Sequence, residues 1–175
     1  MHKFNEISSF LGNRGIECQW VKMKYEEIQG DTTEEISRDS AMKLSREIEE
    51  KFFLEDTGLY INSLNGFPGP YSSYVSRTIG NLGILDLLRN KERSAYFLTV
   101  ISYFDGEKIL TFQGKEHGKI AEEEKGKTGF GFDPIFIPEN CEKTLAEMSI
   151  EEKNQHSHRI NALKSFISPP FLYIM

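Results

Sequence analysis

Only two cysteines, Cys18 and Cys141, occur in 175 residues, and they stand far apart with no Cys-x-x-Cys pair or His-rich spacing near them. That pattern indicates neither a disulfide framework nor a zinc site and reads as two reduced thiols. No apolar run approaches the roughly 20 residues of a membrane-spanning helix, and the polar opening Met1-His2-Lys3 lacks the pattern of a signal peptide. The expected compartment is therefore the cytoplasm, with no membrane partner. Positive charge is also in deficit, with 21 Lys plus Arg against 27 Asp plus Glu and a formal charge of −6. This argues against a general nucleic-acid surface, and an anionic ligand would need a local cationic pocket. Internal repeats and low-complexity linkers are missing too. With 38% hydrophobic residues the chain can bury a substantial core, so residues 1–175 are expected to form one domain.

Along the chain, Phe4, Ile7, Phe10 and Leu11 recur at helical spacing before Gly12 and Gly15, which predicts an amphipathic helix at the outset. Ile16, Cys18 and Trp20 alternate with polar residues and lead through Val21 and Met23 into an acidic loop, the pattern of a strand. Thr32 and Glu35 have capping-box spacing, and Ala41, Leu44, Ile48 and Phe52 give the next helix one apolar stripe. After a rigid turn at Gly66-Phe67-Pro68-Gly69-Pro70, two short helices are predicted, one with Tyr74, Val75 and Ile79 and one capped by Asn81 with Leu82, Leu85 and Leu88. Ser94 to Phe104, Asp105-Gly106 and Ile109 to Phe112 read as a hairpin. Ser149 and Glu152 open a last helix with Ile160, Leu163 and Ile167 on one stripe, ended by Pro169-Pro170. The alternation predicts an α/β fold around a mixed sheet.

Three segments carry possible chemistry. Glu55-Asp56-Thr57-Gly58-Leu59 sets two carboxylates against the apolar run Phe52-Phe53-Leu54, where charge is costly unless a metal, a cation or hydrogen-bond donors compensate; solvated acids at a strand end are the plainer reading. Lys115, Lys119, Lys125 and Lys127 precede Thr128-Gly129-Phe130-Gly131-Phe132-Asp133-Pro134, a glycine-punctuated backbone open to phosphate with rings for a base to stack on, or else a lysine-bearing loop with core phenylalanines. Lys153, Ser157, His158 and Arg159 gather donors within two turns, suiting an oxygen-rich ligand or a solvated helix face.

Taken in order, Lys3, Glu55-Asp56-Thr57-Gly58-Leu59, Pro68-Gly69-Pro70-Tyr71, Ser94-Ala95-Tyr96, Gly129 to Pro134, Glu152-Lys153-Asn154 and Ser157-His158-Arg159 resemble the inosine triphosphate pyrophosphatase family over nearly the whole chain. The resemblance implies an elongated two-lobed α/β domain, usually a homodimer, whose cleft holds a purine nucleoside triphosphate and Mg²⁺. It implies hydrolysis of ITP, dITP and XTP to the monophosphate and pyrophosphate. By position it makes Glu27 and Asp56 the metal-binding acids and Asp56 the activator of water. Lys3 and Thr57 then contact substrate, Phe130 stacks on the base, and Asp133, Lys153, Ser157, His158 and Arg159 line the purine pocket. Donors on His158 and Arg159 are expected to meet the purine 6-oxo group, with Asp133 accepting from a ring N–H.

Two positions depart from the family. It opens with a buried strand, a hydroxyl residue and an Asn ahead of the lysine matched by Lys3; counting back puts that Asn immediately before Met1. The chain is therefore expected to lack the family's first strand, leaving an exposed sheet edge unless something such as the tail Phe171 to Met175 substitutes. Ser40 falls where the family commonly has a phosphate-binding lysine, with Lys43 nearby. A nucleotide-binding protein with impaired turnover is the alternative these departures leave open.

Overall fold

The computed structural model describes residues 2–168. Helix α1 (His2–Gly12) forms as its spacing predicts and buries Ile7 and Leu11. Residues 16–23, predicted as strand, are irregular; alternation makes a segment able to pair, but a strand exists only where a neighbouring edge takes up its backbone groups. Helix α2 (Thr33–Leu44) starts where the Thr32 hydroxyl accepts the Glu35 amide and ends at Leu44. Ile48 lies beyond it, and Phe52 begins β1 (Phe52–Ile61). Next come β2 (Pro68–Gly69), α3 (Ser72–Thr78) and α4 (Gly80–Leu87). Ile79, not Asn81, is the N-cap of α4, and the Asn81 amide instead donates to Glu124.

The predicted hairpin is β3 (Ser94–Phe104) and β4 (Ile109–Ile120). The Asp105 carboxylate holds its turn by accepting the Glu107 and Lys108 amides. After β5 (Phe136–Pro138), the single C-terminal helix of the sequence reading is two: α5 (Ile150–Gln155), with the predicted capping box at Ser149, and α6 (His158–Phe166), capped by the Ser157 hydroxyl. Pro169-Pro170 and the tail lie outside the described residues.

The α/β class holds, in a five-stranded sheet of order β2-β1-β3-β4-β5. Every described ladder is antiparallel rather than mixed. A tight turn forces β3 and β4 antiparallel, and β1 and β5 join the two edges of that hairpin without a βαβ crossover. Among the described residues no strand precedes β1, whose edge away from β3 is paired only at Leu59 and Tyr60. Two apolar clusters sit towards opposite ends of the long strands. One holds Leu59, Ile61, Phe97 and Phe136, the other Ile101, Tyr103, Phe112 and Phe166 with Ile7 and Leu11 of α1. The polar middle of β1 and β3, where Thr57 faces Thr99, falls between them.

Candidate functional site

Side chains alternate across a strand, so the neighbours Glu55 and Asp56 point to opposite faces of the sheet and do not act as a pair. Glu55 faces α6 with its side chain 6% exposed. Its carboxylate lies 3.0 Å from Lys3 Nζ and 2.9 Å from Arg159 Nε, and accepts the Thr57 hydroxyl at 2.6 Å. Burial alone would raise this carboxyl, but Arg159, Lys3 and the Thr57 hydroxyl bring it down to about 2. Asp56 faces the other side, accepting the Thr57 amide at 2.8 Å. Its carboxyl is pushed up to about 6, mainly by burial, with the Glu55 and Glu27 charges adding and the Thr57 amide and Lys3 opposing.

Glu27 and Asp56 thus share one neighbourhood, marked also by Tyr25, whose phenol is pushed up by burial and then by Glu27, Asp56 and Glu55. Among the described residues no three His, Cys, Asp or Glu side chains converge as a metal cage. Two carboxylates, one disfavoured as an anion by burial and like charge, fit a hard cation such as Mg²⁺, which takes one or two protein carboxylates and fills its shell with phosphate and water oxygens.

A chain of hydroxyls fixes the protonation of His158. Ionised Glu55 can only accept, so the single Thr57 hydroxyl proton points to it. The 2.7 Å contact between Thr57 and Thr99 is then donated by Thr99, and the 2.6 Å contact between Thr99 and His158 by Nδ1–H. Burial and the Arg159 charge push the imidazole down to about 3, so it is neutral near pH 7. Nε2 therefore carries a lone pair. The sequence points to a donor role for His158 towards the purine; with Nδ1–H spent on Thr99, the neutral ring's Nε2 is an acceptor instead. The ring stacks on Phe97 with centroids 4.8 Å apart.

Arg159, 3% exposed, is held from two sides, by Glu55 and at 2.7 Å by Glu6 of α1. Glu6 also accepts the Ser157 hydroxyl. Glu6 was not singled out from the sequence. Its signal was local: it lies three residues after Lys3 on one helix, a spacing that puts the acid and the lysine on the same face. Thr99 was missed as well, because nothing in an apolar strand marks one threonine as a relay.

At the far end of α5, Phe130 is 44% exposed, whereas Phe132 is buried in the core. The Phe130 amide donates at 2.8 Å to Asp133, and Lys153 Nζ lies 2.6 Å from the same carboxylate oxygen and 5.2 Å from the Phe130 ring centroid. Only glycine permits this curl: Gly129 has φ +83°, and a Cβ there would lie 2.2 Å from the Asp133 carboxylate. The Lys153 charge is felt at His158, so this aromatic and cationic cradle adjoins the hydroxyl chain. Lys3, Thr57, Ser157, His158 and Arg159 are thus one connected network, with Phe130, Asp133 and Lys153 beside it and Glu27 and Asp56 across the sheet.

The architecture is that of an α/β protein with a long antiparallel hairpin flanked by helices and a polar seam between two apolar clusters. Comparison with known proteins makes the class specific: the Ham1 family model matches residues 1–168. The chain belongs to the Ham1 family. It is 49% identical over 165 residues to the dITP/XTP pyrophosphatase of Thermococcus kodakarensis and 50% identical over 165 residues to that of Pyrococcus horikoshii, in each case covering 94% of this chain and 89% of the relative. Among solved structures, a HAM1 protein from Coxiella burnetii superposes with a TM-score of 0.81 at 30% identity, covering 93% of this chain and 90% of that one. The Staphylococcus aureus Ham1 protein gives 0.74 at 33%, covering 80% and 77%.

Proposed function

We propose that the protein is a Mg²⁺-dependent pyrophosphatase that converts dITP, ITP and XTP to the nucleoside monophosphate and pyrophosphate. The observation that carries this reading is the joining of two unlike ends: Glu27 and Asp56 on one face of β1, and the aromatic and cationic cradle of Phe130, Asp133 and Lys153 with His158 reached through Glu55 on the other. The activity named for the relatives favours turnover over a binding-only protein.

Asp56 is the base. In the metal-free protein burial raises its carboxyl to about 6, and as an anion near pH 7 it takes a proton from water as the water oxygen attacks the α-phosphorus. The bond from that phosphorus to the bridging oxygen breaks, and pyrophosphate leaves. Mg²⁺ held by Glu27 and Asp56 would neutralise charge on the phosphate oxygens. Lys3, ion-paired to Glu55 but 45% exposed, has a charged head available to the polyphosphate, and Thr57 keeps Glu55 and the relay in order.

At the base, Phe130 supplies a stacking face, Lys153 donates to an oxo group, Asp133 orients Lys153, and Ser157 and Arg159 hold the end of α6 through Glu6. His158 Nε2 accepts N1–H of a 6-oxopurine. Adenine has a lone pair at N1, so two acceptors would face each other unpaired, and discrimination of several powers of ten follows.

The test is pyrophosphate release with Mg²⁺ from dITP, XTP and ATP. Strong preference for the oxopurines is expected, and equal kcat/KM for ATP overturns the reading. Nucleotide-induced stabilisation without pyrophosphate release would instead mark a binding protein. The working form is a cytoplasmic homodimer. Exposed Phe67, Tyr71, Tyr74, Ile79 and Leu82 around α3 and α4 support self-association, and light scattering reporting about 20 kDa would reject it.

A further inference from the structure

We propose that Cys141, His156 and Glu116 form a thiol-exchange site that takes a low-molecular-weight disulfide, and that loading it loosens the nucleobase end of the cleft. The coupling half rests on the nucleotide site proposed above; the thiol half does not. Among the described residues no side-chain hydrogen bond or ion pair joins these three to the network around Glu55.

His156 Nδ1 lies 2.9 Å from Glu116 Oε1, and Nε2 lies 3.3 Å from Cys141 Sγ. A carboxylate only accepts, so Glu116 draws the imidazole proton to Nδ1 and leaves the Nε2 lone pair facing the thiol. Nucleophile, base and orienting acid then stand in one line, the geometry that activates a thiol. It is not a metal cage, because the two ring nitrogens serve different neighbours. Cys141 is partly exposed at the rim of the core. Burial and the carboxylates of Glu116 and Glu152 push the thiol up, so its resting form is S–H and removal of the proton by His156 is the step that makes it reactive.

In the exchange, the Cys141 S–H proton passes to His156 Nε2 as sulfur attacks one sulfur of the incoming disulfide. A Cys141–S–S–R bond forms, the old S–S bond breaks, and the departing thiolate takes the proton from His156 and leaves as R–SH, so the incoming disulfide is itself the oxidant and no other is required. The adduct occupies the space beside His156, which is the C-cap of α5 and directly precedes Ser157, the N-cap of α6. Displacing His156 therefore pulls on Lys153 at one side and on Ser157, His158 and Arg159 at the other.

Incubation with oxidised glutathione at pH 7, read by intact mass and peptide mapping, tests the site. Cys141 should load at least tenfold faster than Cys18, and His156→Gln and Glu116→Gln should each erase most of that advantage while melting like the parent protein. Equal rates at the two cysteines, or a His156→Gln variant as fast as the parent, overturn the thiol site whatever the nucleotide activity. For the coupling, the loaded protein should show a several-fold higher KM for dITP with kcat little changed, reversed by dithiothreitol, while Cys141→Ser has the parent KM and ignores the reagent. An unchanged KM in the loaded protein overturns the coupling. Should the unloaded protein release no pyrophosphate, the proposed activity fails by itself, and the thermal shift given by dITP, smaller after loading, reads the coupling instead.

Discussion

Replacing Asp56 by Asn should make the protein more stable and inactive at once. In the absence of Mg²⁺ the carboxyl is raised from an ordinary 3.8 to about 6, so the folded state binds its proton more tightly than the unfolded chain does. A raised acid favours folding only while protonated: below pH 3.8 the ionic penalty is absent, it grows between 3.8 and 6, and it is complete above 6. Two pKa units at 1.36 kcal/mol each make the cost about 3 kcal/mol at pH 7 and about half that at pH 5. Asn keeps the shape and can still accept the Thr57 amide, but carries no charge to desolvate. Urea unfolding in EDTA should therefore place Asp56→Asn above the parent by about 3 kcal/mol at pH 7, with the gap closing towards pH 4. Pyrophosphate release from dITP should fall by at least 10²-fold, the usual scale for loss of a general base. A variant equal to or weaker than the parent at pH 7, or a gap that does not shrink with pH, refutes the claim that a desolvated carboxylate is stored in the site. Undiminished turnover removes Asp56 from the mechanism.

Glu55→Gln has the opposite sign. Its carboxyl is lowered to about 2, so its stabilisation is full above pH 4.5 and is lost as pH falls through 2; unfolding should show a loss of about 3 kcal/mol at pH 7 and about 2 at pH 3.5. A pH-independent loss would show that packing rather than charge is responsible. Lys153→Met removes a charged donor worth about 1.5–3 kcal/mol and should raise KM for XTP at least about tenfold; steady-state kinetics with an unchanged KM would take Lys153 out of the pocket. Gly114→Ala drives a Cβ to 2.0 Å from the Ala162 amide nitrogen and 2.3 Å from the His158 carbonyl, so thermal unfolding should show a loss of about 1–3 kcal/mol or more, with weaker nucleotide binding as α6 is pushed off β4. A variant that melts like the parent would show that α6 is not pressed onto the sheet there.

Much of the architecture could be read from local pattern. The opening helix, the caps at Thr32 and Ser149, and the Asp105-Gly106 hairpin depend on interactions within a few residues, and short spacing in the chain is enough to specify those. Residues 16–23 show the limit: their alternation was read correctly, but no neighbouring edge receives them. Splitting the last helix at Ser157 was likewise a local event hidden under a continuous apolar stripe.

The ordered motifs named the candidate residues without stating their partners. Adjacent acids in the chain became a buried ion-pair anchor on one face of β1 and a carboxyl raised by burial on the other, a division that the period of the strand permits but only packing against α6 and burial beside Glu27 bring about. Glu6, Thr99 and the tautomer of His158 were invisible in one dimension, because a proton's position depends on which acceptor lies within hydrogen-bond reach, and those partners lie 42 to 151 residues away along the chain. Sequence determined the composition of the site and the elements that carry it. Tertiary structure decided which charges are paired, which are left costly, and hence which groups are ready for chemistry, since electrostatic energies depend on distance and burial and neither is a local property of the chain.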